Sequence, residues 1–193
     1  MSKTPALIII RGVPGSGKSY LAQSIADHIG DNRTAIIDPD AVKPDDAAFR
    51  QLSAALTADG VDARFHVYRY LRQKAYTAMS EGKVVVWNQA FIDFDGLVIT
   101  IQRLQEYAHA HGLTFPVLIT EVELDPQIAQ QRIATRKATP GGHGPEAAVF
   151  QQFVDDYRSF AGRGYTTLTV RGDARSDVSA AEVVRTLATI SVV

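Results

Sequence analysis

The segment at residues 12–19, Gly-Val-Pro-Gly-Ser-Gly-Lys-Ser, constrains the fold of this chain more than any other feature. An apolar run, Ala6–Arg11, precedes it, and a helical pattern, Lys18–Ile29, follows it and ends before Gly30. This order is typical of a buried strand, a glycine-rich loop and the first turn of a helix, where backbone N–H groups and the helix dipole face an anion. The sequence therefore predicts that this segment binds the phosphates of a nucleotide.

Each part of this phosphate loop has an expected role in nucleotide binding. Lys18 should reach the β- and γ-phosphates, and the Ser19 hydroxyl should ligate Mg²⁺. We expect the nucleotide to be ATP, because the chain lacks the Asn-Lys-x-Asp motif of guanine-binding proteins. The predicted nucleotide-binding residues of the loop and the first helix are Gly12, Val13, Pro14, Gly15, Ser16, Gly17, Lys18, Ser19 and Tyr20.

Apolar runs alternate with helical patterns along the whole chain. This alternation indicates an α/β fold with a mainly parallel sheet, since every parallel connection needs a crossover helix. With 193 residues and no internal repeat or linker, the chain is expected to form one domain over residues 1–193. The predicted strands are Ala6–Arg11, Thr34–Ile37, 83–87, 115–124 and Thr166–Arg171. The predicted helices are Lys18–Ile29, 46–56, 61–79, 96–111, 126–137, 146–160 and a last one opened by a capping box from Ser179 to Glu182.

Charge and composition exclude several classes of protein. The formal net charge of −1 and the pI of about 6.5 are far from the basic balance of a dedicated duplex DNA-binding protein. The absence of cysteine excludes disulfides and thiolate metal sites. No apolar run approaches the roughly 18 residues of a membrane span, and we expect a cytoplasmic protein.

Two aspartates follow the second predicted strand, at the edge where functional groups of an open α/β sheet collect. Pro39 should hold Asp38 in an extended conformation, so that Asp40 projects beyond the strand as a candidate general base. Asp38 is a candidate substrate contact. The alternative interpretation is that both aspartates serve only as turn and N-cap residues.

The third predicted strand is followed by Asn88, where motor-type ATPases carry an acidic residue for the Mg²⁺ shell. This difference counts against a motor ATPase and makes Asn88 a candidate contact to a substrate or to a metal-bound water. The alternative is a residue that only caps the strand. Asp93-Phe94-Asp95-Gly96 weakly matches the Asp-x-x-Gly of GTPases, but its position favours the start of a helix.

The helix predicted at residues 126–137 carries Arg132 and Arg136 on one face, because they are four residues apart. Guanidinium groups at this place are suited to stabilise the γ-phosphate during transfer. The following segment, 138–145, contains three glycines and two prolines and is predicted to be a mobile lid over the nucleotide. The alternative is a solvated basic helix end and an ordinary loop.

These motifs together resemble the small P-loop kinases that include phage polynucleotide 5′-hydroxyl kinase, chloramphenicol phosphotransferase and the zeta toxins. The resemblance covers about residues 6–160 and rests on residues 12–19, on Asp38-Pro39-Asp40, on residues 88–91 and on the two arginines before the lid. It implies a three-layer P-loop fold whose five-stranded parallel sheet has the order 2-3-1-4-5. It also implies that Asp40 is the catalytic base, that Arg136 contacts the transferred phosphate and that Arg132 lies near the nucleotide.

The chain also departs from members of this group. Zeta toxins carry an acidic residue in place of Asn88 and a threonine in place of Ala90, which weakens the case for their sugar-nucleotide substrate. Phage polynucleotide kinase has a basic substrate channel. The candidates for such a channel here are Arg64, His66, Arg69, Arg72 and Lys74. Arg69 and Arg72 are three residues apart and would share one groove, although a solvated amphipathic helix explains the same pattern.

The favoured hypothesis is a kinase that uses ATP and Mg²⁺ to phosphorylate a hydroxyl of a small molecule or of a nucleic-acid 5′ end. Asp40, Lys18 and Arg136 would be its catalytic residues. One alternative is a nucleotide-binding regulatory module or slow NTPase, which has no need of a base at Asp40. Another is a sugar-nucleotide kinase of the zeta-toxin type. The sequence leaves the acceptor, a paired antitoxin and the oligomeric state open.

Overall fold

A five-stranded parallel sheet forms the centre of the fold in the computed structural model, which describes residues 4–191. Its strands are β1 (Ala6–Arg11), β2 (Thr34–Ile37), β3 (Val84–Asn88), β4 (Val117–Glu123) and β5 (Thr166–Arg171). Their spatial order is β2-β3-β1-β4-β5, and each neighbouring pair is parallel. The predicted α/β fold with strand order 2-3-1-4-5 is therefore confirmed.

Seven α-helices within residues 4–191 accompany the strands. They are α1 (Lys18–Ile29), α2 (Ala47–Ala58), α3 (His66–Ser80), α4 (Phe94–Ala110), α5 (Pro126–Lys137), α6 (Ala147–Asp156) and α7 (Ser176–Ile190). The bounds predicted for β1, α1, β2, α5 and β5 are confirmed. In this part of the chain, no helix has the length and apolar character needed to cross a lipid bilayer.

Two helices begin three or more residues away from the start that the sequence predicts. The helix α7 starts at Ser176, so the capping box predicted at Ser179 is wrong. The Ser179 N–H donates a helical hydrogen bond to the carbonyl oxygen of Arg175 (3.2 Å), and the Ser179 side chain is buried inside the helix packing. The helix α3 starts at His66, because a short 3₁₀ segment, Ala63–Phe65, precedes it.

Aspartate side chains fix the start of three other helices. Asp46 caps α2, and Asp125 caps α5 in front of the proline at its first position. Asp93 accepts hydrogen bonds from the N–H groups of Asp95 (3.0 Å) and Gly96 (3.1 Å) at the start of α4. The Asp-x-x-Gly segment is therefore a helix cap, as the sequence favours.

Two helical layers cover the faces of the sheet. Along β1, Ile8 and Ile10 face the layer of α1 and α7, whereas Leu7 and Ile9 face the layer of α3 and α4. A strand covered on both faces needs a continuous apolar sequence, which explains the run that precedes the phosphate loop. The layers leave the carboxyl ends of the strands open, and this edge holds the candidate site.

A buried ion pair lies at that edge of the sheet. Arg11, the last residue of β1, is 0% exposed and donates a hydrogen bond to the carboxylate of Glu121 in β4, which is 2% exposed. The Arg11 guanidinium also donates to the carbonyl oxygens of Arg158 (2.9 Å) and Phe91 (3.0 Å). Glu121 in turn accepts a hydrogen bond from the N–H of Phe160 (2.8 Å). The pair therefore joins two strands to the segment after β3 and to the segment after α6.

Aromatic rings enclose the same guanidinium. The Arg11 Cζ atom lies 4.6 Å from the ring centroid of Tyr157 and 5.0 Å from that of Phe94. Aromatic faces attract a cation that has lost its water. Burial, as the main cause, raises the pKa of the Tyr157 hydroxyl. Both charges are buried away from solvent, so each depends on the other for compensation.

We predict that Glu121→Ala lowers the free energy of unfolding by about 3–5 kcal/mol, because it leaves the Arg11 charge buried and unpaired. Chemical denaturation measures the loss. The double variant Arg11→Met/Glu121→Leu should lose much less than the two single changes added together. The control is Glu81→Ala, which removes a partly exposed pair with Lys83 and should cost about 0–1 kcal/mol. An equal loss in Glu121→Ala and Glu81→Ala would contradict the prediction.

Candidate active site

The phosphate loop lies at the carboxyl end of β1, where other backbone segments press closely against it. A Cβ atom on Gly12 would lie 2.7 Å from the carbonyl oxygen of Val122, and one on Gly15 would lie 2.5 Å from that of Ala129. Real Cβ atoms do not approach a carbonyl oxygen so closely, and both glycines also have positive φ angles. The packing of β4 and α5 against the loop therefore requires glycine at positions 12 and 15.

Gly172, directly after β5, approaches the same loop even more closely. A Cβ atom there would lie 2.1 Å from the carbonyl oxygen of Ser16. The Arg132 side chain donates a hydrogen bond to the carbonyl oxygen of Gly172 (3.0 Å). Our sequence analysis missed this residue. A glycine at the end of the last parallel strand, at the edge where ligands bind, was the available signal.

The Lys18 side chain lies against the phosphate loop, and the pKa of its ammonium group is lowered. Its Nζ atom donates to the carbonyl oxygens of Gly12 and Val13, each at 3.0 Å. Burial lowers the pKa of Lys18 to about 8, although the neighbouring carboxylates of Asp40 and Asp38 act in the opposite direction. The Lys18 ammonium is therefore held where it loses its proton more easily than an ordinary lysine.

Asn88, buried at the end of β3, connects Ser19 to Asp38. Its Nδ2 atom donates hydrogen bonds to Ser19 Oγ (3.1 Å) and to Asp38 Oδ2 (2.7 Å), and its Oδ1 atom is buried without a hydrogen-bond partner. Asp38 Oδ1 accepts a hydrogen bond from the N–H of Asp40 (2.9 Å) and caps a 3₁₀ turn, Pro39–Ala41. Asp38 is extended, as expected before proline, and it serves both as a turn cap and as a member of this network.

The network formed by Ser19, Asn88 and Asp38 has the chemistry of a Mg²⁺ site. Ser19 contributes a hydroxyl and Asp38 a carboxylate, which are the hard oxygen ligands that Mg²⁺ prefers, and the Asn88 Nδ2 atom holds both of them. Within residues 4–191, no group of three or more His, Cys, Asp or Glu side chains is arranged to hold a metal ion. Mg²⁺ normally completes its shell with water and substrate phosphates, so Ser19 and Asp38 fit an ion that arrives with a nucleotide.

Asp40 differs from Asp38 in having an uncommitted carboxylate. Its side chain is exposed to the cavity described below, and within the described residues it accepts no hydrogen bond and forms no ion pair. Its charge acts on Lys18, which places the two groups at one site. A carboxylate in this condition is able to accept a proton from a bound hydroxyl.

Arg132 and Arg136 of α5 line the same cavity, and both side chains are exposed. The positive charge of Arg136 contributes to the lowered pKa of Lys18, which indicates that its guanidinium lies near the phosphate loop. Lys137 points elsewhere and pairs with Glu146. The structure thus brings together the two arginines that the sequence predicts as nucleotide contacts.

The segment 138–145, the predicted lid, folds back onto the end of α5. Thr139 Oγ1 donates to the carbonyl oxygen of Arg136 (2.7 Å), and the N–H of Gly142 donates to the carbonyl oxygen of Thr139 (2.9 Å). A Cβ atom on Gly142 would lie 1.8 Å from the Arg136 carbonyl oxygen, so this turn requires glycine. Thr139, His143, Gly144 and Pro145 line the cavity. Closure of this segment over a nucleotide stays a prediction.

A cavity of about 1790 Å³ joins these groups. The side of the cavity at the phosphate loop is formed by that loop, by α5 and by the segment after β5. Its opposite side extends along the residues after β3 and between α3 and α4. The sequence-predicted site residues that line it are Pro14, Gly15, Gly17, Lys18, Ser19, Tyr20, Asp38, Asp40, Asn88, Arg132 and Arg136.

The basic channel considered from the sequence is not present as a group. Among its five candidates only Arg72 lines the cavity, whereas Arg69 is exposed on α3 outside it. His66 is buried, and its ring nitrogens hydrogen-bond Ser53 Oγ (2.8 Å) and the carbonyl oxygen of Val61 (2.9 Å). Arg69 therefore lies outside this cavity with an exposed side chain, and its role as a substrate contact stays a prediction.

Comparisons with known proteins agree with the fold described above. The model of the family AAA_33, described as an AAA domain, matches residues 7–159. A gluconokinase from Sinorhizobium meliloti 1021 is 18% identical, with a TM-score of 0.58 over 97% of this chain and 94% of that chain. A structure from the PezAT toxin–antitoxin system of Streptococcus pneumoniae is 14% identical, with a TM-score of 0.60 over 97% of this chain and 85% of that one.

A third solved structure has a bound nucleotide analogue. The APS kinase from Mycobacterium tuberculosis, in complex with AMPPNP and APS, is 19% identical, with a TM-score of 0.53 over 96% of this chain and 98% of that chain. No curated protein matches the sequence significantly. At these identities the structural likeness establishes the fold alone.

We predict that the affinity for ATP falls above a pH of about 8. Phosphate oxygens should raise the pKa of Lys18 above its free-protein value of about 8, so binding takes up a proton at higher pH. The affinity is then fully present below about pH 8 and falls by up to roughly tenfold per pH unit until the bound-state pKa is passed. Calorimetry with a non-hydrolysable ATP analogue measures this slope. Lys18→Arg keeps its charge and should lose the slope, and equal slopes in both proteins would contradict the prediction.

We also predict that Gly172→Ala weakens binding of the same analogue by roughly tenfold or more, because the new Cβ displaces the Ser16 carbonyl and with it the phosphate loop. The control is Gly112→Ala. Gly112 has a positive φ of 64°, but its Cβ would meet no atom within 4 Å, so it tests backbone strain without a contact at the site. Wild-type affinity in folded Gly172→Ala would show that the loop tolerates the displacement.

Proposed function

Since the chain belongs to the AAA_33 family of P-loop proteins, we propose that it is a kinase that transfers the γ-phosphoryl group of ATP to a hydroxyl of a small molecule. The observation that carries this proposal is the uncommitted carboxylate of Asp40 in the same cavity as Lys18 and Ser19. A protein that only binds or slowly hydrolyses a nucleotide has no need of a carboxylate at that position. A kinase needs one beside the attacking hydroxyl.

The proposed reaction is an in-line displacement. A bond forms between the acceptor oxygen and the γ-phosphorus, and the bond between that phosphorus and the β,γ-bridging oxygen breaks, which releases ADP. The acceptor proton passes to Asp40. Asp38 is less suited to this role, because both of its carboxylate oxygens already accept hydrogen bonds. The two aspartates would therefore have different roles: Asp38 would hold the turn, and Asp40 would act as the base.

Charge that develops on the transferred group requires fixed positive partners. Lys18 would contact the β- and γ-phosphates, and Arg136 would contact the γ-phosphate from α5. Arg132 is held by the carbonyl oxygen of Gly172, which supports a place beside the nucleotide rather than at the acceptor. Mg²⁺ bound with the nucleotide would supply further charge neutralisation, and Ser19 with Asp38 would hold it, while Asn88 would position these two side chains.

A small-molecule acceptor is favoured over a nucleic-acid end. A polynucleotide channel needs several basic groups along one path, and only Arg72 of the α3 candidates lines the cavity. A sugar-nucleotide kinase of the zeta-toxin type remains the second hypothesis. It is supported by the fold likeness to the PezAT structure, while Asn88 and Ala90 depart from the zeta-toxin pattern.

We predict that Asp40→Asn lowers kcat by roughly 10² or more while leaving the affinity for ATP near that of the wild type. Asp38→Asn is the matched neighbour. Asparagine still caps the turn, so its loss of kcat should be smaller. Transfer from labelled ATP to a panel of hydroxyl compounds tests both the activity and the two variants. An inactive Asp38→Asn beside a fully active Asp40→Asn would assign the base to the other carboxylate.

A further inference from the structure

Two arginines from neighbouring helices line the side of the cavity away from the phosphate loop. Arg72 lies on α3 and Arg103 on α4, and both border the cavity. The two helices pack against each other at this level. The Tyr76 hydroxyl donates to the carbonyl oxygen of Arg103 (3.4 Å), and the Tyr76 ring stacks on that of Tyr107 with centroids 4.2 Å apart. The backbones that carry both arginines are thus held together.

Neither guanidinium has a protein counterion. Within residues 4–191, the side chains of Arg72 and Arg103 form no ion pair and donate no side-chain hydrogen bond. Burial, then the charge of Arg103 and, less strongly, that of Arg69 lower the pKa of Arg72, and of these two arginines only Arg103 shares the cavity with Arg72. Asp95 also lines the cavity, but it precedes Arg103 by eight residues, about 12 Å along the helix axis.

The wall around these arginines is apolar and exposed. Phe65, Tyr68 and Ile99 are 49%, 44% and 44% exposed, and all three line the cavity. Tyr68 and Arg72 are four residues apart and share one face of α3, and Phe65 ends the 3₁₀ segment three residues before Tyr68. Exposed large apolar side chains that border a cavity mark a ligand surface rather than an ordinary solvated face.

We propose that Arg72 and Arg103 bind an oxyanion group of the phosphoryl acceptor, so that the substrate is a small organic molecule carrying a phosphate or a carboxylate as well as the reacting hydroxyl. A guanidinium matches the planar or tetrahedral oxygens of either group with paired N–H donors. The apolar wall contacts the body of the molecule. The statement that the anion belongs to a phosphoryl acceptor rests on the proposed kinase function. The anion site itself does not depend on that function.

Direct binding tests the anion site without any phosphoryl transfer. The protein is first saturated with a non-hydrolysable ATP analogue and Mg²⁺, which occupies the phosphate loop. Inorganic phosphate is then titrated by calorimetry into the wild type, Arg69→Ala and Arg72→Ala/Arg103→Ala. Arg69 is the matched control, because it lies three residues before Arg72 on α3 but outside the cavity. We expect binding in the first two proteins and its loss in the double variant. Absence of binding in the wild type, or equal binding in all three, would overturn the proposal.

Kinetics distinguish the sources of the oxyanion. The wild type is assayed with labelled ATP against aldoses, their aldonic acids and their sugar phosphates, against nucleosides and nucleoside monophosphates, and against a 5′-hydroxyl oligonucleotide. We expect the best acceptor to be a small anionic compound. Arg72→Ala and Arg103→Ala should each raise its KM by roughly 10- to 100-fold, with unchanged ATP affinity, and Arg69→Ala should not.

The outcomes separate the two proposals. A preference for uncharged compounds or for the oligonucleotide, or an unchanged KM in both arginine variants, would refute the oxyanion clamp while the kinase function stands. Phosphate binding that depends on Arg72 and Arg103, without transfer to any compound of the panel, would refute the proposed kinase function and keep the anion site.

Discussion

The buried pair of Arg11 and Glu121 is the interaction on which the geometry of this site depends. Arg11 is the residue directly before the phosphate loop, so the start of the loop is held by the same residue that forms the ion pair with Glu121. The same guanidinium binds the carbonyl oxygen of Phe91, which has a positive φ of 47°. A positive φ in a non-glycine residue costs energy and persists only where surrounding contacts impose it. One cation thus fixes the phosphate loop and the segment after β3 relative to each other.

This arrangement explains how a few strand ends produce a site with separate donor and acceptor sides. The donor side is shaped by backbone contacts at Gly12, Gly15 and Gly172, which press the phosphate loop against β4, α5 and β5. The acceptor side begins at Asn88 and continues through the segment held by Arg11. Between them, Asp38 joins the two sides through the Asn88 amide. One connected set of strand ends would therefore position the metal, the base and the phosphates of the proposed reaction.

Local patterns were sufficient to predict the topology and five element bounds, because apolar runs, prolines and glycines act on their immediate neighbours. The positions of the phosphate loop, Asp40 and Asn88 at one edge of the sheet were predictable for the same reason, since motif and strand end coincide in the sequence, whereas their roles stay predictions. Contacts between residues far apart in the chain were not predictable from local patterns. Arg11 and Glu121 are separated by 110 residues, and the contact of Gly172 with Ser16 depends on the sheet order. The capping box at Ser179 failed because its pattern also fits the inside of a helix.

The charge distribution shows why a net charge of −1 is a poor guide to the ligands of this protein. The cavity is lined by six Lys and Arg side chains, Lys18, Arg72, Arg103, Arg132, Arg136 and Arg171, against four Asp side chains, Asp38, Asp40, Asp93 and Asp95. Arg171 is paired with Asp173, which does not line the cavity, so five other cations stand against the four aspartates. The site is therefore locally positive inside a slightly acidic protein. The electric field is focused in a cleft with low-dielectric walls. This local excess of positive charge therefore attracts polyanions that the net charge of the molecule would not attract. A nucleotide on one side and an anionic acceptor on the other would together neutralise the repulsion that these cations now exert on each other.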